Sequence, residues 1–296
     1  MCGIVAVTGY KKALPLLMNG LEKLEYRGYD SAGIAIVNSE TKNITCNKAE
    51  GKLKNLIKNL NHKNMPGTVG IGHTRWATHG KPEIKNAHPH TNSSGTIAVV
   101  QNGIIENFQD LKNKLQKEGV IFNSDTDTEV IPHLIQRELN TLSKLNLDKN
   151  GSTLLVAVRN VISDLEGSYA LAVLWADAPT ALVVARRQAP LIIGLGEGEF
   201  ICASDTPAIA NFTNIILPME DEEIALLTPL GIEIYDSNNE RQYRSPVSLQ
   251  VSEQIMDKMN FKHYMLKEIY DQPQTCLLYT SPSPRDRTRS RMPSSA

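Results

Sequence analysis

The 296-residue sequence has no run of about 18 apolar residues, the length that a membrane-spanning helix requires. Its 31 basic and 32 acidic residues leave a net charge of −1, so it also lacks the positive field that attracts nucleic acid or a membrane surface. No signal peptide is expected, because Lys11 and Lys12 follow the first apolar run instead of preceding it. These absences predict a cytoplasmic protein with neither nucleic acid nor a membrane as its partner.

Paired cysteines are missing as well, since none of the four, at positions 2, 46, 202 and 276, belongs to a Cys-x-x-Cys pair. Unpaired cysteines suit a reducing cytosol and argue against a structural zinc site. The histidines at 73, 79, 88 and 90 lack the helical spacing of a zinc protease motif. The stretch GLGEGE at 194–199 lacks dinucleotide-binding spacing, and no Walker-type loop occurs. We therefore expect no metal ion and no cofactor.

Short apolar strands alternate along the chain with amphipathic helices. The predicted strands cover 4–8, 33–37, 68–73, 96–103, 168–176, 181–187, 190–196, 199–204 and 222–228. Helices are predicted at 13–26, 107–119, 128–139 and 152–166, and the second of them should be capped by Asn107 and stopped by Gly119. Antiparallel strands with helices grouped outside them predict an α+β fold of layered sheets covered by helices.

The composition of the chain changes twice towards its end. Residues 237–250 are polar and rich in turn formers, and from position 275 the chain is dominated by Ser, Pro and Arg. We expect one domain over 2–240, a linker over 241–273 and a disordered tail over 274–296, because the tail has too little apolar surface to bury. An RNA-binding segment is an alternative for the tail, but a foreign terminus unrelated to the preceding fold explains it better.

The sequence begins MCGIVAVTG, which places Cys2 directly before an apolar strand. A buried small residue is one interpretation, since free cysteine packs like a small hydrophobic group. Removal of Met1 gives another, because the thiol would then share its residue with a free α-amine of pKa roughly 7.7–8.0, which can act as its base. Gly3 would allow a tight turn or the close approach of a substrate. The position alone does not decide between these interpretations.

The stretch GHTRWATHG at 72–80 concentrates polar side chains after a predicted strand. It is either an ordinary loop or a substrate clamp. Arg75 has the planar fork that holds a carboxylate through two hydrogen bonds. Thr78 and His79 can add further hydrogen bonds, and Trp76 can cover a bound ligand.

Two more stretches fit either a local structural role or a substrate site. Asn102 and Gly103 follow an apolar strand; this dipeptide is typical of a hairpin turn, but an amide donor beside a glycine N–H also makes an oxyanion hole. In SDTDTEV at 124–130, Thr126 or Asp127 can cap the following helix, or Asp127 can hold a substrate ammonium group. A calcium loop is not expected there, because the required glycine and terminal glutamate are missing.

Together these residues describe the recognition of one small molecule. Arg75 would bind an α-carboxylate, Asp127 would bind an α-ammonium, and Cys2 would attack a side-chain carbonyl. An amino acid with a side-chain amide carries all three groups. The sequence therefore predicts a site for glutamine or asparagine.

Six stretches carry a specific resemblance: MCGIVAVTG, LEYRGYDSAGIA, HTRWATHGKP, NAHPH, QNGIIEN and SDTDTEVI. In this order, the chain from residue 2 to about 273 resembles the class II glutamine amidotransferase domain of the glutamine–fructose-6-phosphate aminotransferases (isomerizing), also called glucosamine-6-phosphate synthases. Amidophosphoribosyltransferases and asparagine synthetases share the cysteine and the Asn-Gly pair, but neither is expected to carry RWATHG followed by NAHPH. HYMLKEIYDQP at 263–273 resembles the segment that leads into the sugar-isomerase half of the family.

The resemblance implies an N-terminal-nucleophile hydrolase fold, which is a four-layer αββα sandwich. It implies hydrolysis of L-glutamine to glutamate and ammonia, with Cys2 as nucleophile and Asn102 and Gly103 as the oxyanion hole. The residues implied to hold glutamine are Arg75, Trp76, Thr78, His79 and Asp127. Arg27 and His88 are implied to support the site without taking part in the chemistry.

The family resemblance also implies a larger enzyme. Its members pass the ammonia to fructose 6-phosphate in two sugar-isomerase domains, as part of amino-sugar (hexosamine) biosynthesis, and the whole enzyme is expected to be a homodimer. We expect this chain to be the glutaminase half, truncated before those domains. The alternatives are a stand-alone amidohydrolase, which does not explain the isomerase connector, and a glutamine-binding regulatory module, which does not explain the presence of both Cys2 and Asn102.

Overall fold

The computed structural model of the chain describes residues 2–60, 65–77, 80–249, 261, 266–267 and 269–273. The chain divides into two units, Met1–Val251 and Ser252–Ala296. In the second unit residues 269–273 are helical, and the ring centroids of Phe261 and Tyr270 lie 5.5 Å apart. The tail predicted over 274–296 lies outside the described residues. All further description concerns the first unit.

The first unit consists of antiparallel strands and six α-helices within its described residues. The strands are β1 (Gly3–Gly9), β2 (Ser31–Asn38), β3 (Asn43–Glu50), β4 (Val69–Arg75), β5 (His90–Thr91), β6 (Ile97–Ile105), β7 (Gly167–Trp175), β8 (Leu182–Arg187), β9 (Ile192–Leu195), β10 (Glu199–Ala203), β11 (Ile215–Pro218), β12 (Ile224–Thr228), β13 (Gly231–Tyr235), β14 (Arg241–Gln242) and β15 (Val247–Ser248). The helices are α1 (Ala13–Leu24), α2 (Leu53–Asn59), α3 (Phe108–Lys117), α4 (Val130–Ser143), α5 (Gly151–Ser163) and α6 (Pro207–Ala210).

The strands form two sheets. The first has eight strands in the order β15-β11-β9-β10-β1-β4-β2-β3, and the second has seven in the order β14-β13-β12-β8-β7-β6-β5. β1 pairs with β10 on one side and with β4 on the other, so it lies in the middle of the first sheet. Ladder hydrogen bonds on both sides therefore fix the backbone that follows Cys2.

The alternation of side chains along β1 shows how the two sheets are covered. Ile4 and Ala6 join a buried cluster drawn from both sheets, whereas Val5 and Val7 join a cluster with α1, α2 and α6 on the opposite face. A third cluster joins the outer face of the second sheet to α3, α4 and α5. The result is four layers in the order helix, sheet, sheet, helix. The predicted α+β sandwich is confirmed.

Helix α1 shows why the outer layers are stable. Four of its five leucines recur at helical spacing and lie in the buried cluster; they are Leu14, Leu17, Leu21 and Leu24. Burial of one such side chain is worth about 1.5–3 kcal/mol. Pro15 lies in the first turn of the helix, where a missing N–H breaks no helical hydrogen bond.

Several elements were not predicted from the sequence. β3 is an edge strand with mostly half-buried side chains, so its apolar pattern is weak. β14 and β15 fall within the polar stretch 237–250, yet they pair with β13 and β11. The first unit consequently extends past residue 240, the end expected for the domain, because pairing to existing strands orders residues that have little apolar character of their own.

Candidate active site

Three polar side chains lie where the buried apolar stretches of three strands end: two are on strands β4 and β6, and the third is next to β1. On β4, Ile71 lies in the core between the sheets, and the next residue on that face is His73. On β6, Val100 is followed in the same way by Asn102. Cys2 directly precedes β1. His73, Asn102 and Cys2 contact one another in this order between the sheets. We call these three residues and the side chains that contact them the polar end of the inter-sheet space.

The Cys2 thiol is held by backbone groups. The Trp76 N–H donates to Sγ at 3.1 Å, and Sγ donates to the Trp76 carbonyl at 3.5 Å. Burial raises the pKa of the Cys2 thiol, and the hydrogen bond from Trp76 and the charge of Arg75 offset part of that effect. The thiol is therefore protonated at neutral pH and needs a base before it can act as a nucleophile.

The side-chain amide of Asn102 has a defined orientation. Its Nδ2 donates to the Cys2 carbonyl at 3.0 Å, and its Oδ1 lies 3.0 Å from Nε2 of His73. A primary amide nitrogen has two hydrogens, and the contact with Cys2 uses one of them. The amide therefore presents a donor beside the residue that carries the thiol, as an oxyanion hole requires.

Two glycines permit close approach around this amide. Gly103 has a φ of 103°, in the left-handed region, and a Cβ there would lie 2.1 Å from the Ser168 carbonyl oxygen of β7. Gly3 makes no turn, since it is extended in β1, and a Cβ there would lie 2.6 Å from Thr74 Oγ1. Asn102 and Gly103 pair with Ala170 and Tyr169, so they lie inside a β-strand and not in the hairpin turn that the dipeptide typically forms.

His88 lies behind the amide as part of a buried polar cluster. Its ring stacks on that of His73 with centroids 4.2 Å apart and an interplanar angle of 18°. The Gln101 N–H donates to Nδ1 of His88 at 3.2 Å, and Nε2 lies 3.3 Å from the Thr128 hydroxyl. Burial holds the pKa of His88 well below its ordinary range and lowers the pKa of His73 to about 3. Both rings are neutral at physiological pH, and His88 touches no part of Cys2 by hydrogen bond.

Arg75 is buried at the end of β4. Its two terminal nitrogens donate to the carbonyls of Lys81 at 3.2 Å and Gly80 at 3.3 Å. Burial lowers the pKa of Arg75, and the thiol of Cys2 and the carboxylates of Asp30 and Asp127 oppose that shift. The guanidinium is thus near enough to the thiol and to both carboxylates to interact with their charges.

Asp127 does not cap a helix. Its Oδ2 accepts a hydrogen bond from the Ile105 N–H at 2.8 Å, which ties the loop before α4 to the end of β6. The N-cap residue of α4 is Glu129, and its carboxylate accepts hydrogen bonds from the backbone of Asn123 and Ser124 at 2.8 and 2.7 Å. The capping interpretation of Thr126 or Asp127 is therefore wrong, because the helix begins two residues later than a cap at Asp127 requires and three later than a cap at Thr126 requires.

Two further residues contact groups of this site and were not among the predicted site residues: His73, beside the Asn102 amide, and Asp30. Asp30 accepts a hydrogen bond from the Ala77 N–H at 2.8 Å, and its own N–H donates to the Arg75 carbonyl at 3.1 Å. It therefore holds the backbone on both sides of Trp76, whose N–H contacts the thiol. Asp30 lies in the stretch RGYDSAG, where nothing local distinguishes this aspartate from a surface acid.

Arg27 lies in the short 3-10 turn that follows α1, and its described ion pair is with a residue near α6. Its guanidinium forms an ion pair with Asp205, which also accepts a hydrogen bond from the Tyr26 hydroxyl at 2.6 Å. The other carboxylate oxygen of Asp205 accepts a hydrogen bond from the N–H of Thr206, the residue directly before α6, at 2.8 Å. Arg27 thus ties the end of α1 to α6 in the helical layer over the first sheet.

A small cavity of about 20 Å³ is lined by six of the residues predicted for the site: Cys2, Arg75, Trp76, His88, Gly103 and Asp127. Its volume suits about one water molecule. Thr78 and His79 were also predicted to bind substrate, and they lie outside the described residues. Among the residues that are described, no group of three or more His, Cys, Asp or Glu side chains could hold a metal ion.

Comparison with known proteins agrees with this geometry. Residues 73–211 match the family described as the glutamine amidotransferase domain. The structure is similar to the glutamine phosphoribosylpyrophosphate amidotransferase from B. subtilis complexed with ADP and GMP, with a TM-score of 0.66 and 28% identity over 80% of this chain and 49% of that one. The fold and the site define a glutamine amidotransferase domain with the N-terminal-nucleophile hydrolase fold.

Two curated relatives are similar over most of the chain. The chain is 54% identical over 273 residues to a glutamine–fructose-6-phosphate aminotransferase (isomerizing) from Thermosynechococcus vestitus, which covers 92% of this chain and 42% of that protein. It is 53% identical to the protein of the same name from Nostoc sp., over 92% of this chain and 43% of that protein. The chain belongs to the glutamine–fructose-6-phosphate aminotransferase (isomerizing) family and spans about two fifths of the length of the curated relatives it matches.

Proposed function

We propose that this chain hydrolyses L-glutamine to glutamate and ammonia, with Cys2 as the nucleophile. The observation that best supports this proposal is the contact of 3.0 Å between the Asn102 amide nitrogen and the Cys2 carbonyl, which puts a preorganised donor beside the thiol. Arg75 and Asp127 line the same cavity, so the charges needed for the α-carboxylate and the α-ammonium lie next to the nucleophile. The cavity must widen to accept an amino acid.

The base in this proposal is the α-amine of Cys2, released when Met1 is removed. Among the described residues, Sγ forms hydrogen bonds only with the backbone of Trp76, so no side chain there is placed to take its proton. An α-amine has a pKa of roughly 7.7–8.0, close to the pH at which the enzyme would work. The residue would thus supply both nucleophile and base.

The reaction proceeds in two stages. The amine takes the proton from Sγ, the sulfur forms a bond to the amide carbon of the glutamine side chain, and the carbonyl electrons move to oxygen. The second Nδ2 hydrogen of Asn102 and the Gly103 N–H stabilise that oxyanion. When the electron pair returns, the C–N bond breaks and the leaving nitrogen takes the proton from the ammonium of Cys2 to depart as ammonia. Water then hydrolyses the thioester and releases glutamate.

In this proposal, two charged side chains bind the two oppositely charged groups of the substrate. Arg75 pairs with the α-carboxylate and Asp127 with the α-ammonium, while Trp76, Thr78 and His79 complete the surface around the ligand. Each charged pair lies in a largely buried site, where an unpaired group is expensive, so the site should select free amino acids. Arg27 and His88 act only by support.

For the whole protein, we propose that the ammonia is transferred to fructose 6-phosphate to give glucosamine 6-phosphate. The two curated relatives carry this activity in their names, and each is more than twice as long as the matched region, which supports the assignment. A homodimer and a cytoplasmic location belong to the same proposal. In the part of the chain that the structure describes, no helix has both the length and the apolar character needed to cross a membrane.

The proposed function is tested by Cys2→Ala. We expect the variant to lose glutamine turnover by at least about 10³-fold, because the bond-forming atom is gone, and to unfold at nearly the same temperature. A glutamine-like electrophile should label the unmodified chain once, at Cys2. Cys46→Ala is the matched control, since Cys46 is a half-buried free cysteine outside the site, and it should retain both activity and labelling. Label found on Cys46 or Cys202 would contradict the assignment.

A further inference from the structure

The orientation of the Asn102 amide depends on one partner. The oxygen and nitrogen of this amide have opposite hydrogen-bonding roles, so a flip of the group would turn an acceptor towards the developing oxyanion. Cys2 fixes one side, because its carbonyl can only accept, which makes the group facing it Nδ2. The other side must then find a donor for Oδ1, and the side chain within reach is His73, with Nε2 at 3.0 Å.

His73 can be that donor in only one tautomer. Its ring is fully buried, and the low pKa of about 3 keeps it neutral, so only one of its nitrogens carries hydrogen. The contact with an acceptor oxygen places that hydrogen on Nε2. The neighbouring ring is restricted in a similar way, because His88 accepts the Gln101 N–H at Nδ1 and therefore carries its own hydrogen on Nε2.

Two features fix the position of the His73 ring. Its backbone lies in the middle of the first sheet, paired with Ile4 on β1 and with Gly33 on β2. One face of the ring stacks on His88 at a centroid distance of 4.2 Å. Two neutral rings stack without charge repulsion, so the arrangement is stable as long as neither ring is protonated.

We propose that His73 is a positioning residue for glutamine hydrolysis: its Nε2–H holds the Asn102 amide with the nitrogen towards Cys2, in the orientation that stabilises the oxyanion. This inference rests on the proposed function. It assigns no contact between His73 and the substrate. Loss of the donor would leave the thiol and the substrate anchors in place and would weaken only the stabilisation of the transition state.

The test compares two amide substitutions of equal polarity. The amide nitrogen of His73→Gln reaches about as far as Nε2 of histidine, whereas that of His73→Asn stops near the position of Nδ1. We expect His73→Asn to lower kcat for glutamine by about 10–100-fold with KM changed less than about threefold, since one misdirected oxyanion donor costs up to about 10²–10³. His73→Gln should recover most of that loss. His133→Asn, which also removes a buried histidine but lies in α4 against Phe122, is the control for fold and should keep normal kinetics.

Inhibitor binding separates positioning from general damage. Glutamate γ-semialdehyde forms a tetrahedral adduct with a thiol and places an oxyanion in the hole, whereas glutamate does not. In His73→Asn the affinity for the aldehyde should fall by the same factor as kcat, and the affinity for glutamate should not change. If both affinities fall together, or if His73→Asn and His73→Gln behave alike, the proposal is wrong.

A measurement on the unmodified chain does not depend on whether a variant folds. Nitrogen NMR of the imidazoles should show His73 as the neutral Nε2–H tautomer from pH 5 to pH 9, and an Nδ1–H tautomer would overturn the inference. Absence of glutamine turnover by the unmodified, processed chain would instead contradict the proposed function. The two failures are therefore distinguishable.

Discussion

The space between the two sheets contains two regions of opposite character on the same strand faces. Along β4 and β6, Ile71 and Val100 lie in an apolar core that is fully buried. One step further on each strand, His73 and Asn102 are equally inaccessible, at 1% and 8% exposure, but polar. The change takes place over about 7 Å, since a strand rises about 3.3 Å per residue and a face repeats every second residue.

The comparison shows what burial demands of each region. In the apolar region, side chains need only shape and volume, because dispersion and the hydrophobic effect have no direction. In the polar end, hydrogen bonds add a requirement of direction, since an unpaired buried polar group costs about 1–3 kcal/mol. That requirement gives the groups around Cys2 their fixed orientation. Four further expectations test or sharpen the difference between the two regions.

The largest expected effect on glutamine turnover concerns Cys2, the residue directly before β1. If Met1 is retained, the α-amine of Cys2 becomes an amide with no useful basicity. We expect retention to lower glutamine turnover by about 10²–10⁴-fold, the usual contribution of a positioned acid–base group. A chain with an N-terminal extension that resists aminopeptidases can be compared with the processed chain, and intact-mass spectrometry reports the state of Met1. Full activity in a sample that retains Met1 would exclude the amine as base.

Substrate analogues probe the two charges beside the nucleophile. N-acetylglutamine lacks the α-ammonium, and the α-amide of glutamine lacks the α-carboxylate. We expect each to lower kcat/KM by about 10²–10³-fold, because each removes the charged substrate group that the proposal pairs with Asp127 or Arg75. Asp127→Asn keeps an acceptor for the Ile105 N–H, so it should reduce the discrimination against N-acetylglutamine selectively. Equal turnover of glutamine and N-acetylglutamine by the unmodified chain would contradict the role of Asp127.

The polar end should also make stability depend on pH. His73 has a pKa of about 3 in the folded chain and about 6.5 when unfolded, so the unfolded chain binds more protons between these values. The free energy of unfolding should therefore fall as the pH decreases from 7 towards 3, by up to about 1.4 kcal/mol per pH unit for one such histidine. Urea unfolding at pH 7.5 and pH 5.0 measures the difference, and His73→Gln should reduce it by about 2 kcal/mol. An unchanged difference would contradict the buried neutral state of the ring.

The smallest effect is expected in the apolar region. Ile71→Val removes one methyl group from the core, one step along β4 from His73. It should lower the free energy of unfolding by about 1 kcal/mol and change kcat for glutamine less than about twofold. Thermal unfolding and steady-state kinetics on the same sample measure both quantities. A loss of activity without a loss of stability would show that the packing around Ile71 affects the polar end. That result would contradict the separation of the two regions.

Much of the site was predictable because single residue types indicate which chemistry they can perform. A thiol at position 2, a guanidinium in RWATHG and an amide donor before a glycine identify possible functions one residue at a time. Six of the predicted residues line one cavity, although their roles remain proposals. The positioning residues were not predictable in this way, since His73 and Asp30 act through a neighbour and carry no local sign of it.

The sequence by itself determined the elements whose causes are local. The leucines of α1 repeat at helical spacing, and nine strands are apolar runs that the sequence predicts, namely β1, β2, β4, β6 to β10 and β12, because periodicity and propensity act over a few neighbouring residues. Tertiary structure alone decided which partner each polar group would meet. Asn102 contacts Cys2 across 100 positions of chain, and Arg27 contacts Asp205 across 178. Such pairs form only when the sheets and helices are stacked, and burial then leaves each polar group little choice of partner.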